Sequence, residues 1–289
     1  MNEIEDNHLH IFSPSGMWGD QILNLFSCYY HMQNMGKEGM VIHTAKEFYN
    51  PHHHSYTPAD KDIIKFWTTF NFVKGILFDV DQRSLPTDID QSKYFIFPYL
   101  DYPYNEDYIC KFSETIDFSL FPSSSFEIDD DKAAIFQPIS LKNKPSNHVG
   151  FTINDFICEW DCCIKELLFK GYKIYAIGSE EDEEKYKELY PALHDNSHIV
   201  NLMGKISMFE AINLVMNKAS FVLSCDSWAG WYGIASRVKT GYAAGPLIES
   251  GQDKQYLELI KNKDIFYMDY SSKKQETDKS IANWISENA

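Results

Sequence analysis

Residues 198–246 read HIVNLMGKISMFEAINLVMNKASFVLSCDSWAGWYGIASRVKTGYAAGP, and this alternation constrains the fold more than any other part of the chain. Short apolar runs at 199–203, 220–223 and 240–244 alternate with two segments of helical period. Ile206, Phe209, Ile212, Leu214 and Val215 recur at three- and four-residue steps, which predicts an amphipathic helix over 207–217. Ser207 stands as its N-cap, with Glu210 completing a capping box. Residues 219–223 predict a buried strand that stops at Ser224-Cys225-Asp226-Ser227 and opens into a second, glycine-containing helix. Such a junction presents free backbone N–H groups backed by a helix dipole, which suits a phosphate or pyrophosphate. It is also what an ordinary strand-to-helix turn with Asp226 as N-cap would look like.

The whole chain has 289 residues, 44% of them hydrophobic, enough for one large or two small domains with a real core. A net charge of −16 argues against a broad nucleic-acid footprint, which needs clustered Lys and Arg. Six cysteines show no disulfide framework, and Cys158, Cys162 and Cys163 have no His close by in sequence, so free thiols are expected rather than a zinc site. With no signal-peptide pattern, that chemistry predicts a reducing cytoplasm. No apolar run approaches the roughly 20 residues of a membrane span.

The amino-terminal part repeats the same logic. A short strand at 8–13 is followed by a loop, Pro14-Ser15-Gly16-Met17-Trp18-Gly19-Asp20, a helix from Gln21 to near Met35 and a strand at 40–44. Asp20 then stands at a helix N-terminus, either as a favourable first-turn charge or as a functional carboxylate. Residues 45–58, with Pro51-His52-His53-His54, read as a loop over a binding cleft. A helix at 60–70 and a strand at 75–80 follow, and Asp79-Val80-Asp81 has a cation-binding Asp-x-Asp form too short to be specific. A further strand is expected at 94–100, and 105–118 reads as partly helical. The Ser- and Asp-rich stretch at 121–131 is the expected domain boundary. Beyond it come a strand at 133–137, a loop at 138–147 carrying Lys142 and Lys144, a helix at 154–170 and a strand at 173–177. Gly178-Ser179 then opens an acidic helix start, and helices are expected at 251–262 and 275–286. The organisation is therefore α/β: an N-terminal Rossmann-like domain over 1–125, a second over 132–275, and a final helix, 276–289, that packs back on the first.

Four segments together resemble the ADP-heptose–lipopolysaccharide heptosyltransferases, glycosyltransferase family 9, over most of the chain. Ser15-Gly16-Met17-Trp18-Gly19-Asp20 resembles the family's N-terminal Leu-Gly-Asp loop. AAIFQPISLKNK at 133–144 is similar to its strand and Lys-bearing loop. Residues 151–184 resemble its helix, Gly-Tyr-led strand and Gly-x-x-x-Asp-Glu turn. Asn201-Leu202-Met203-Gly204-Lys205 followed by Asp226-Ser227 is like its "Asn-Leu-x-Gly" strand and "Asn-Asp-Ser-Gly" phosphate loop. The order and spacing of the four agree. The sequence departs from the pattern where the family has Gly and then His after Asp-Ser, places held here by Trp228 and, close by, Trp231. The Pro-Gly step becomes Pro138-Ile139. These departures predict a rebuilt donor pocket.

The resemblance implies a GT-B fold, with two Rossmann-like domains facing each other across a cleft. It implies an inverting glycosyltransferase that needs no cofactor and no metal, with a nucleotide-diphosphate sugar as donor. Asp20 would be the base for the acceptor hydroxyl, with Trp18, His52 and His53 near the acceptor. Lys142 or Lys144 would neutralise the diphosphate, and Asp226, Ser227, Trp228, Gly230 and Gly178 would line the donor site. The acceptor would be a surface glycan or a lipid-linked sugar. Three alternatives stay open: a phage-type DNA glycosyltransferase, disfavoured by the charge; a non-catalytic nucleotide-sugar binder; and a Rossmann oxidoreductase, for which a G-x-G-x-x-G fingerprint is missing.

Overall fold

The computed structural model describes residues 7–12, 18–45, 47–50, 55–58, 61–79, 106–121, 126, 128, 131–140, 159–225, 227–244, 265–269 and 274–289. The chain divides into two compact units: Met1–Pro103 with Lys111–Phe121, and Tyr104–Cys110 with Pro122–Ala289.

In the first unit, β1 (His8–Phe12), β2 (Gly39–His43) and β5 (Val73–Leu77) form a parallel sheet in the order β1-β2-β5. Helix α1 (Trp18–Asn34) connects the first two strands, and α2 (Lys61–Thr68) precedes the third. The apolar faces of α1 and α3 (Glu106–Ser113) meet in an aromatic cluster. Phe26 stacks on Phe112 with ring centres 4.2 Å apart, and Phe70 and Phe72 close around Phe112. Buried Gln21 accepts a hydrogen bond from Trp67 Nε1 at 2.9 Å, which ties the start of α1 to α2. That tie holds the first turn in place, and the helix begins at Trp18, not at the expected Gln21. Trp18 and Asp20 are therefore helical instead of lying in a loop.

The expected loop at 45–58 contains a hairpin instead. Strands β3 (Glu47–Asn50) and β4 (Ser55–Pro58) pair antiparallel, with Tyr49 opposite Tyr56. Phe48, Tyr49, Tyr56 and Thr57 are strand-favouring residue types, a local signal that the cluster of histidines and prolines hides.

The second unit holds a six-stranded, wholly parallel sheet in the order β11-β10-β9-β6-β7-β8. Its strands are β6 (Ala133–Gln137), β7 (Lys173–Ala176), β8 (Ile199–Asn201), β9 (Phe221–Cys225), β10 (Lys239–Ala244) and β11 (Ile265–Asp269). Strands β6 and β9 are apolar throughout their centres and buried at every position, as a sheet covered on both faces requires. The intervening helices are α4 (Asp161–Phe169), α5 (Glu180–Leu189), the short α6 (Pro191–His194), α7 (Met208–Asn213), α8 (Trp228–Ala235) and α9 (Lys274–Asn288).

Helix α7 starts at the expected cap. Ser207 N donates to Glu210 Oε2 at 2.8 Å, and Glu210 N donates to Ser207 Oγ at 3.2 Å. A π-turn over Leu214–Lys218 finishes the segment. Strand β11 escaped the sequence reading, while the expected strand at 94–100 and helix at 251–262 lie outside the described residues.

The C-terminal helix was expected to pack back on the first domain. Among the described residues, its core contacts lie in the second unit. Ile281 and Ile285 are fully buried in that unit's core, and Trp284 packs on Phe221 with ring centres 5.6 Å apart. Asp278, 3% exposed, accepts the backbone N–H groups of Cys162 and Cys163 at 3.0 and 2.9 Å. Its carboxylate thereby caps α4, whose own N-cap residue, Trp160, makes no side-chain cap. The physical reason for the placement is this pairing of a buried charge with orphan helix amides.

Candidate functional site

Strand order singles out one place in the second sheet. From β6 the chain moves outward through β7 and β8, then returns to the other side of β6 with β9 and continues to β10 and β11. The order therefore reverses between β6 and β9, and ligands of open parallel sheets bind at the carboxyl ends of the strands at such a point. The segments that leave those two ends are 138–147 and 226–228. They carry the expected lysines and the expected phosphate turn.

Helix α8 is set over this point by three contacts. Buried Gln137, the last residue of β6, accepts the backbone N–H of Ala229 at 3.3 Å. Gly230 lies against Tyr242 of β10 so closely that a Cβ there would overlap the ring. A Cβ on Gly233 would fall 2.6 Å from Thr240 Oγ1 and 3.1 Å from Val222. The two glycines let the helix lie directly on the sheet.

Ser227 occupies the N-cap of α8 with extended backbone and is 7% exposed, yet its side chain makes no cap hydrogen bond. Trp228 is half-buried and meets Tyr232 edge-on, with ring centres 5.7 Å apart. Trp231 is buried against Tyr242. The Ala229 amide, on the first turn of α8, is thus already bonded to Gln137. Gln137 sits at a fully buried strand end, where its amide oxygen needs a donor. Gly230 has its open side turned to the sheet.

Gly178 lies at the neighbouring strand end, after β7. Ser179 and Asp182 form a capping box, with Ser179 N donating to Asp182 Oδ2 at 2.8 Å and Asp182 N to Ser179 Oγ at 3.1 Å. A Cβ on Gly178 would meet Asp182 at 3.0 Å and Met203 at 3.5 Å. The start of α5 therefore already has its own carboxylate. Gly204, at φ +66°, donates its N–H to the Gly178 carbonyl at 3.0 Å. Asn201 fixes the turn by donating to Glu183 at 2.6 Å and accepting from Met203 N at 3.0 Å. The Asn-Leu-Met-Gly segment thus serves as a clamp between two strand ends.

The first unit brings together three residues that sequence reasoning did not join. His10 Nδ1 lies 2.8 Å from His43 Nε2, and His43 Nδ1 lies 2.9 Å from both carboxylate oxygens of Asp79. One residue comes from each strand in sheet order: His10 in β1, His43 at the end of β2, Asp79 two residues beyond β5. His43 is buried, His10 half-buried and Asp79 exposed. Burial, then the neighbouring His43, hold His10 below the ordinary histidine value. The sequence signals are the Asp-x-Asp form at Asp79 and a pair of histidines two apart in a strand, His8 and His10, which share a face.

Asp20 and Trp18 lie on the first turn of α1. Lys142, Lys144, Asp226, His52 and His53 lie outside the described residues. Among the described residues, no group of three or more His, Cys, Asp or Glu side chains is arranged to hold a metal ion. No described helix is long and apolar enough to cross a membrane.

No protein-family model matches the chain, and no curated protein matches it in sequence. Solved structures do. E. coli ADP-heptose LPS heptosyltransferase II superposes with a TM-score of 0.52 at 12% identity, covering 97% of this chain and 98% of that one. E. coli heptosyltransferase WaaC with ADP gives 0.51 at 13% identity, covering 98% and 100%. A glycosyl transferase family 9 protein from Veillonella parvula gives 0.50 at 11% identity, covering 97% and 93%. The fold is GT-B. Both units take part in the likeness, since coverage is nearly complete on each side. At these identities the likeness concerns architecture, and the chemistry has to be argued from the residues.

Proposed function

We propose that the protein is an inverting glycosyltransferase that moves a sugar from a nucleoside-diphosphate donor to an acceptor hydroxyl. The observation that carries this is the β6–β9 reversal, with the Lys142/Lys144 segment leaving one strand end and Asp226-Ser227 leaving the other. A departing diphosphate needs cations and N–H dipoles where its charge develops. The two lysines supply the first, and the open N-cap at Ser227 with the first turn of α8 supplies the second. The WaaC structure contains ADP, and that likeness of fold supports a nucleotide as part of the donor.

Asp20, on the first turn of α1, is assigned to the acceptor hydroxyl, for which a surface glycan or lipid-linked sugar is the proposed source. DNA is disfavoured by the charge of −16.

The test is a thermal-shift panel of nucleoside diphosphates and their sugars, since a ligand of the native state raises Tm by mass action. At least one diphosphate is expected to raise Tm, and the parent nucleoside much less. Replacing Lys142 and Lys144 together by Ala is expected to weaken diphosphate binding while sparing nucleoside binding. Equal loss of both would remove the lysines from the site.

A further inference from the structure

We propose that the proton leaving the acceptor hydroxyl is received by His10 Nε2, through a relay in which His43 and Asp79 act as positioning residues. This rests on the glycosyltransferase reading and names its proton acceptor.

The protonation pattern follows from the geometry. A carboxylate only accepts hydrogen bonds, so the proton between Asp79 and His43 sits on His43 Nδ1. An imidazole that carries its proton on Nδ1 accepts at Nε2. The proton in the 2.8 Å contact between the rings therefore sits on His10 Nδ1. That leaves the lone pair on His10 Nε2 at the head of the chain, and no hydrogen bond to this nitrogen occurs among the described residues. Each neighbour fixes the next one's tautomer, and the negative end lies where it stabilises a positive charge gained at the other.

Among the described residues, burial and four side chains act on His10. Burial, His43, His8 and Lys37 all disfavour its cation, and Asp79 favours it. The ring is thus neutral and able to accept a proton under ordinary conditions. A base works best when its proton affinity lies near the operating pH, as imidazole's does. Asp20, on the first turn of α1, is assigned to binding the acceptor hydroxyl. The step balances as follows. The acceptor O–H bond breaks, its oxygen bonds to the anomeric carbon, the carbon–phosphate-oxygen bond breaks with its electron pair on the diphosphate, and the proton goes to His10 Nε2.

The experiment uses the full chain and the nucleotide sugar that gives the largest thermal shift, with water as the acceptor. Hydrolysis is followed between about pH 5 and 8. Wild type is expected to be flat at high pH and to fall as pH drops through a value below the ordinary histidine value of about 6.5. His10→Gln is expected to fall about a hundredfold or more on the plateau and to lose that pH limb. Asp79→Asn, a change at an exposed side chain, is expected to move the limb to lower pH, because the charge that favours the cation is gone. Asp20→Asn is expected to slow turnover but keep the limb.

A merely structural triad would lower Tm in these variants and leave the profile of the surviving enzyme unchanged, which would overturn the proposal. So would a folded His10→Gln protein with wild-type turnover. If no nucleotide sugar binds or is hydrolysed, the glycosyltransferase reading fails by itself. Acylation by diethyl pyrocarbonate, mapped by mass spectrometry, then decides the relay. It is expected to label His10 first in wild type and more slowly at a given pH when His43 is replaced by Gln, and labelling indifferent to His43 overturns it.

Discussion

At the scale of single residues, small side chains in this protein do work that their sequence positions disguise. Gly230 follows the phosphate-type turn and reads as a residue admitting a ligand, yet its open side is filled by the Tyr242 ring. Gly230→Ala is therefore expected to destabilise the fold. Ala gains about 1 kcal/mol over Gly in a helix interior. Overpacking against a buried ring costs typically 1–3 kcal/mol. A net loss of up to about 2 kcal/mol is expected, read as a lower urea midpoint with unchanged slope. A stability at or above wild type would show that α8 can shift off the sheet without penalty. The same logic applies to His10, His43 and Asp79. The sequence singles out Asp79 alone, in an Asp-x-Asp form, and only the contacts at 2.8–2.9 Å turn the three into one chemical unit.

At the scale of elements, helix ends carry most of the local specification. Ser207 and Glu210 fix the start of α7, and Ser179 and Asp182 fix that of α5, both through reciprocal bonds. The end of α8 is a Schellman turn. Arg237 N donates to the Ile234 carbonyl at 3.1 Å and Val238 N to the Gly233 carbonyl at 2.9 Å. Arg237 stands where glycine is usual, at φ +63°. A side chain in that conformation costs roughly 1–2 kcal/mol, partly returned because glycine has more freedom to lose on folding. Arg237→Gly is expected to raise stability by up to about 1 kcal/mol in thermal or urea unfolding. A clear loss would mean that the Arg237 contact with Cys110 Sγ, at 3.4 Å, outweighs the backbone strain.

At the scale of the whole molecule, the last helix is a structural member of the second unit. Its removal takes away three things at once: the Asp278 cap on α4, the buried Ile281 and Ile285, and Trp284 against Phe221. Deleting one large buried aliphatic side chain costs about 2–5 kcal/mol. Two of them with the cap approach the whole stability of an ordinary domain, about 5–15 kcal/mol. A chain ending at residue 273 is expected to lose the cooperative unfolding of the second unit in calorimetry, along with any nucleotide-induced shift. Retention of both would show that the six-stranded sheet closes its core without the helix.

The sequence by itself determined what depends on neighbours a few residues apart. The buried strand at 133–137, the strand expected at 219–223 and found two residues later at 221–225, the α7 cap and the change from strand to helix that follows were legible, because side-chain period and capping chemistry are local. A parallel α/β architecture follows from that alternation, and the GT-B likeness agrees with it. What only the tertiary structure decided involves residues far apart in the chain. Strand order put β9 beside β6 and so created the reversal where the nucleotide is proposed to bind. It also brought His10, His43 and Asp79, separated by 33 and 36 positions, into one chain of hydrogen bonds. The partner of Asp278 lies more than a hundred residues away, at Cys162 and Cys163. No periodicity can announce such pairs. Each is fixed by the burial of a polar group that must find its partner wherever the packed sheets place one.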